Sequence, residues 1–325
     1  MVIFSNRGES AMKRMIKAVR TEITLDEAFS SFIQEKESYN TSESTLRNYK
    51  LSYDIFYTYN EYTPETLAKD ITQGTILKWT NHLRKKEISP SSTNHYLRDL
   101  RAFINWMKKR GYIEEPIEIK EIRGQEELPK FFKDEDIEKL LAKPKNKDSF
   151  VEWRTWAIVN TVLATGARES TICSMRISSI DYVRKEIDLS DHTKNKKALI
   201  IPLSASLENC LREYIRKFEL DGFLFPNVGN EQLTTNAVRH SFARYCAQRE
   251  VEQTNLHGLR HSFARSWVKS GGSEFALQRI LGHSNISMTN RYVKLYAEDL
   301  KEDYEDFSAL DVIKKKSRRT SQFKK

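Results

Sequence analysis

The sequence predicts a mainly α-helical chain of two domains, with a small antiparallel β-sheet in the second, α+β domain. Three observations predict it. Apolar residues recur at helical spacing through residues 22–110, in four stretches with short connections, the pattern of a four-helix bundle. GYIEEPIEIKEIRGQEE, residues 111–127, mixes Pro, Gly and charge without a period and reads as a linker. Beyond it, two short β-rich runs flank a polar stretch within otherwise helical sequence. At 325 residues the chain has room for about two cores of ~150 residues each.

Residues 1–21 set Arg7, Lys13, Arg14, Lys17 and Arg20 against Glu9. They are too short for a folded module, and read either as a frayed leader or as a short arm touching phosphates. ITLDEAFSSFIQEKES puts Ile23, Leu25, Phe29, Phe32 and Ile33 on one helical face. TSESTLRNYKLSYDIFYTY opens with a capping residue and carries Leu46, Tyr49, Tyr53 and Phe56. ITQGTILKWTNHLRKK repeats the period with Ile76, Trp79 and Leu83. The fourth helix has a Ser-rich start, Pro90 in its first turn, Gly111 at its end, and Tyr96, Leu97, Leu100, Phe103, Ile104 and Met107 as its apolar face. The aromatic residues on these helices are expected in the core. Arg47 and Lys50, with Arg98, Arg101, Lys108, Lys109 and Arg110, make the polar faces basic, as a nucleic-acid surface or as ordinary solvated surface.

The second domain is expected over residues 128–304. FKDEDIEKLLAKP reads as a short capped helix, SFVEWRTWAIVNTVLATG as a longer apolar helix ending at Gly166, and ARESTICSMRISSI as another helix. YVRKEIDLS and ALIIPLS read as strands around DHTKNKK, a hairpin with a basic tip. SASLENCLREYIRKF and the remainder to Tyr304 read as helices, and 305–325 as a basic tail. RHSFAR occurs at 239–244 and at 260–265 in different surroundings, which reads as chance and not as a structural repeat.

Lys and Arg number 54 against 45 acids, a formal charge of +9 that favours a polyanionic partner. Cys173, Cys210 and Cys246 form no disulfide framework, which favours a reducing compartment. No apolar run approaches the ~18 residues of a membrane helix, and MVIFSNRGES lacks a signal-peptide core. A soluble, cytoplasmic protein is expected.

The chemistry concentrates late in the chain. HGLRH at 257–261 and LGHSNISMTNRY at 281–292 gather imidazoles, a guanidinium and a phenol; TGAR at 165–168 and Lys194 add a second guanidinium and an ammonium. Two arginines suit a phosphate, a phenol can attack one, and a lysine can protonate the departing oxygen. No carboxylate cluster accompanies them, so phosphoryl transfer without a metal or other cofactor is expected.

The order and spacing resemble the tyrosine recombinase (integrase) family. The family's TG-x-R stands as Thr165, Gly166, Ala167 and Arg168; its hairpin lysine, eight residues before a proline, as Lys194 before Pro202; its H-x-x-R-H as His257, Gly258, Leu259, Arg260 and His261; and its LGH with a tyrosine nine later as Leu281, Gly282, His283 and Tyr292. That spacing also selects Tyr292 over Tyr296 and Tyr304.

The resemblance implies a double-stranded DNA recombination site as partner and a 3′-phosphotyrosine intermediate on Tyr292. It implies Arg168 and Arg260 on the phosphate, His257 as proton acceptor, His283 on a phosphate oxygen and Lys194 as the acid for the 5′-oxygen. Strand exchange through a Holliday junction in a homotetramer follows, with the segment after Tyr292 docking in cis or on a neighbour. One position departs from the pattern: Thr171 stands where the family carries a supporting acid, and Glu169 is expected on another helix face. His261 is expected to serve packing or support. Two other readings use the same residues: a catalytically impaired DNA-binding regulator, and a type IB topoisomerase-like activity.

Overall fold

The fold is taken from a computed structural model, which describes residues 22–86, 88–124, 130–190, 199–283, 285, 286, 289 and 292. The basic leader, Lys194 with the hairpin tip, and the segment after Tyr292 lie outside the described residues. The chain forms two compact units, Met1–Glu126 and Glu127–Lys325. Among the described residues no helix is long and apolar enough to cross a membrane.

The first unit holds α1 (Leu25–Ser38), α2 (Glu43–Tyr59), α3 (Gln73–Lys85) and α4 (Pro90–Arg110). Each starts where a hydroxyl takes an otherwise unpaired backbone N–H: Thr24, Ser42, Thr72 and Ser89 accept from residues three further on. Thr24 and Glu27 complete a capping box. Gly111 ends α4 at φ +73°, with the basic run Lys108–Arg110 in the last turn. The apolar faces meet in one core around Phe32, Phe56, Trp79, Phe103 and Met107.

The stretch expected to be a linker packs on this bundle instead. Ile113, Ile117 and Ile119 are buried in its core. Amide side chains stand in for a neighbouring strand: Gln73 binds both the N–H and the C=O of Glu118, at 2.7 and 3.1 Å, and Asn94 does the same for Ile122, at 2.7 and 3.0 Å.

The second unit is built around α6 (Phe150–Thr165), following α5 (Asp134–Leu141). The short helix α5 has no side-chain cap at Lys133, contrary to expectation; Asp134, Glu135 and Asp136 complement its N-terminus instead. The α6 helix is apolar nearly all round because its neighbours cover it, with Trp153, Ile158, Val159 and Val162 inside. The next helix, α7, is only Glu169–Ser174. The predicted longer helix stops because Met175 and Ile177 pair with another segment: Leu224 N donates to Met175 O at 2.8 Å and Ile177 N to Gly222 O at 3.1 Å. A 3₁₀ turn at Ile177–Ser179 leads into β1 (Ile180–Asp181), which joins β2 (Glu186–Asp188) and β3 (Ile200–Pro202) in one antiparallel sheet. Ile180, Ile187 and Ile201 align across it and are buried in the core. Then come α8 (Ala205–Phe218), α9 (Thr235–Ala247), α10 (Leu256–Lys269) and α11 (Glu274–Leu281).

Candidate active site

Three chain turns bring the TGAR, HGLRH and LGH segments together. Gly166 ends α6 at φ +64°, and a Cβ there would lie 2.6 Å from Cδ1 of Phe263. Only glycine fits this close left-handed turn, which points the Gly166 carbonyl inward and places Arg168 at the start of α7. Asn255 caps α10 through the His257 N–H at 3.0 Å, so HGLRH occupies the first turns of that helix. There Arg260 and His261 stand one turn after His257, three and four residues on, flanking it on either side. Gly258 turns the other way, where a Cβ would come within 2.9 Å of the Phe132 ring. Gly282 ends α11 at φ +59° and leaves the carbonyls of Leu281 and Gly282 facing the arginines.

Arg260 is 3% exposed. It donates to Gly166 O at 2.5 Å, to Leu281 O at 2.7 Å, and from Nη2 to Nε2 of His283 at 3.1 Å. Arg168 donates to Gly282 O at 3.1 Å. Among the described residues neither guanidinium has a carboxylate within ion-pair distance. Burial first, then the positive charge of Arg168, pushes Arg260 down to about 9, against the pull of Tyr292; it remains charged at neutral pH. Burial also lowers Arg168, again opposed by Tyr292. Two partly desolvated cations are thus held side by side by backbone carbonyls.

His283 is pushed down to about 4, first by burial and then by Arg260 and Arg168. It is neutral at pH 7, and its tautomer follows from its partners. A guanidinium can only donate, so Nε2 accepts; Nδ1 carries the proton and donates to Thr289 Oγ1 at 3.0 Å. His257, at the exposed rim, is lowered by lost hydration and by Arg260 and Arg168, with Glu169 opposing.

Tyr292 is 4% exposed and packs with Phe263, Ala264, Leu277 and Leu281. Its hydroxyl lies 2.7 Å from Nδ1 of His261. Its ring is parallel to His283 at 6.5 Å between centroids. The His257 ring stands edge-on to His261 at 4.6 Å. The imidazole in contact with the phenol is therefore His261, which was expected to serve packing or support. Its position four residues after His257 on one helical face was the signal available. Thr289 is a second contact that no motif announced.

Thr171 is buried in α7. Glu169 is paired with Arg239 and lies near enough to His257 for its charge to act on that imidazole. Its carboxylate grips Arg239 of the first RHSFAR copy, at 2.9 and 3.2 Å from Nε and 2.8 Å from Nη2. The two copies thus differ in fate: Arg239 is exposed, whereas Arg260 is buried at the site. In the first unit Arg47, Lys50 and Arg98 lie at the surface, Lys50 3.9 Å from Glu37. Arg101 and Lys108 instead donate to the carbonyls of Ile119 and Ile117.

Residues 130–299 match the phage integrase family, and residues 24–121 match the phage integrase SAM-like domain. The tyrosine recombinase XerC of Thermodesulfovibrio yellowstonii is 27% identical over 277 residues, covering 81% of this chain and 90% of that protein. The XerC of Halalkalibacterium halodurans is 26% identical over 298 residues, covering 87% and 97%. Among solved structures, the Tn1549 transposon integrase in complex with a circular intermediate DNA shares the fold with a TM-score of 0.69 at 19% identity, over 83% of this chain and 95% of that one. The lambda integrase dimer bound to a COC′ core site gives 0.69 at 17% identity, over 87% and 80%. XerH bound to palindromic difH gives 0.68 at 22%, over 85% and 84%.

Proposed function

The chain belongs to the phage integrase family of tyrosine-type site-specific DNA recombinases, and from that membership we propose that it cuts and rejoins duplex DNA through a 3′-phosphotyrosine on Tyr292. The observation that carries this reading is the convergence of Arg168, Arg260 and His283 beside the Tyr292 phenol, with both guanidinium groups held by backbone carbonyls of the Gly166 and Gly282 turns. A phosphodiester is the anion that fits. Each guanidinium offers parallel N–H groups to its non-bridging oxygens and offsets the charge that grows there in the transition state. Lysine lacks that planar fork.

The phenol oxygen attacks phosphorus, the bond to the 5′-oxygen breaks, and the phenol proton passes to an imidazole of the HGLRH helix. Lys194 protonates the departing 5′-oxygen. The phosphodiester energy is kept in the tyrosyl linkage, so rejoining requires neither ATP nor a metal. Four protomers exchange strand pairs through a Holliday junction, coupled by the segment after Tyr292. Duplex phosphates give affinity in both units, through surface cations such as Arg47, Lys50 and Arg98 in the first, and base contacts select the site. The enzyme works in the cytoplasm, on the nucleoid.

The test is Tyr292→Phe on a nicked suicide duplex carrying the recombination site. Binding is expected to persist while the covalent adduct disappears from denaturing gels. An adduct that survives this substitution refutes the assignment.

A further inference from the structure

We infer that His261, and not His257, is the imidazole that takes the proton of Tyr292 as the phosphotyrosyl bond forms and returns it when the strand is rejoined. The inference deepens the recombinase reading and rests on it. Its ground is geometric. Nδ1 of His261 is 2.7 Å from the Tyr292 hydroxyl, a normal O–H···N hydrogen bond already made in the free protein. The two rings are tilted at 49° with centroids 5.7 Å apart, so the contact is made by the polar edges and not by stacked faces. The phenol is almost fully buried, where little water can take its proton.

The other two histidines are committed elsewhere. His283 already carries its proton on Nδ1, toward Thr289, and receives one on Nε2 from Arg260. It is arranged to touch the phosphate side of the site. His257 is one helical turn before His261, at the exposed rim, in edge-on contact with the His261 ring. It is also a poorer base than a free imidazole, through lost hydration and the fields of Arg260 and Arg168.

The step balances without another reactant. The Tyr292 O–H bond breaks, its proton goes to Nδ1 of a His261 ring that holds its other hydrogen on Nε2, and His261 becomes an imidazolium. The oxygen lone pair forms the bond to phosphorus. The electrons of the broken P–O bond leave on the 5′-oxygen, which takes a proton from Lys194, the acid of the proposed reaction. In rejoining, each movement reverses. Residues 257, 260 and 261 then divide the work within the first turns of α10: phosphate by Arg260, nucleophile by His261, and the rim by His257.

Asparagine separates proton acceptance from mere positioning. Its amide oxygen can accept the phenol hydrogen bond from about the place of Nδ1, yet it cannot take up the proton. The probe is a nicked duplex built on whichever sequence the wild-type chain joins covalently out of a random-sequence pool. Single-turnover adduct formation is measured for wild type, His261→Asn, His261→Ala and His257→Ala, the alanine variants with and without added imidazole. The expected result is a loss of about 10²-fold or more in His261→Asn with unchanged affinity for the duplex, and recovery by imidazole in His261→Ala. Wild-type rates in His261→Asn overturn the inference while leaving the recombinase reading intact. Imidazole rescue confined to His257→Ala does the same. Failure of the wild-type chain to join any duplex overturns both. If His261→Ala does not fold, the asparagine variant decides alone.

Discussion

Arg260 shows what the site asks of one residue. Its side chain is almost fully buried, its donors are held by Gly166, Leu281 and His283, and Arg168 is close enough to repel it. Desolvation and a neighbouring like charge both raise the cost of keeping that cation in place, and under the proposed reaction a phosphate would offset it. His283 records the same field in its depressed basicity, with a consequence for stability. Its folded-state value of about 4 lies below the ordinary imidazole value near 6.5, so between those limits the unfolded chain binds more protons than the folded one. Its contribution is complete above about pH 6.5 and is lost as pH falls toward about 4. His257 is shifted in the same direction and adds to the trend. Melting temperatures measured from pH 7.5 down to pH 5 are therefore expected to fall more steeply for the wild type than for His283→Gln; superimposable profiles would contradict this. The convergence of Arg168, Arg260 and His283 was legible in the sequence because their spacing is fixed by helices and tight turns. The His261 to Tyr292 contact was not, because it joins residues 31 positions apart across a turn whose path no local period encodes.

Among the elements, the end of α6 does most to position the chemistry. Gly166 lets the chain reverse at positive φ, brings Phe263 and Leu281 close, and aims its own carbonyl at Arg260. Gly166→Ala would combine a left-handed alanine, about 1–2 kcal/mol, with a Cβ driven into Phe263 and Leu281, about 1–3 kcal/mol more. A destabilisation of roughly 3 kcal/mol is expected in urea titrations. Adduct formation should fall further than stability accounts for, because the carbonyl anchoring Arg260 moves. A stable, fully active Gly166→Ala enzyme would show that the turn is not what holds the arginine. Helices were the most legible elements, since caps at Ser42, Ser89 and Ser149 and glycines at 111 and 166 mark their ends locally. The early stop of α7 and strand β1 were hidden, because both depend on pairing with partners distant in sequence: Gly222 and Leu224 for the chain after α7, and β2 for β1.

At the scale of the whole chain, the two-unit organisation follows from the separation of the main hydrophobic cluster of each unit. One contains Phe32, Phe56, Trp79 and Phe103, and the other is centred on α6. The general class was legible because helical period dominates residues 22–110 and a β-hairpin pattern appears only later. The role of residues 111–124 was not. Their apolar members, Ile113, Ile117 and Ile119, are irregularly spaced among charges, and the amides that hold them, Gln73 and Asn94, look like ordinary surface residues. This sets a sharp boundary for an isolated first unit. A fragment of residues 22–124 keeps its helices, their caps and the extended strap that covers the core. It is expected to fold alone and to melt in one cooperative transition by circular dichroism. A fragment ending at Gly111 has the same four helices but leaves the surface beneath Ile113, Ile117 and Ile119 uncovered. It should be less stable by several kcal/mol, since each fully buried aliphatic side chain contributes about 1.5–3 kcal/mol. Equal melting temperatures for the two fragments would mean that the strap rests on a bundle already complete without it.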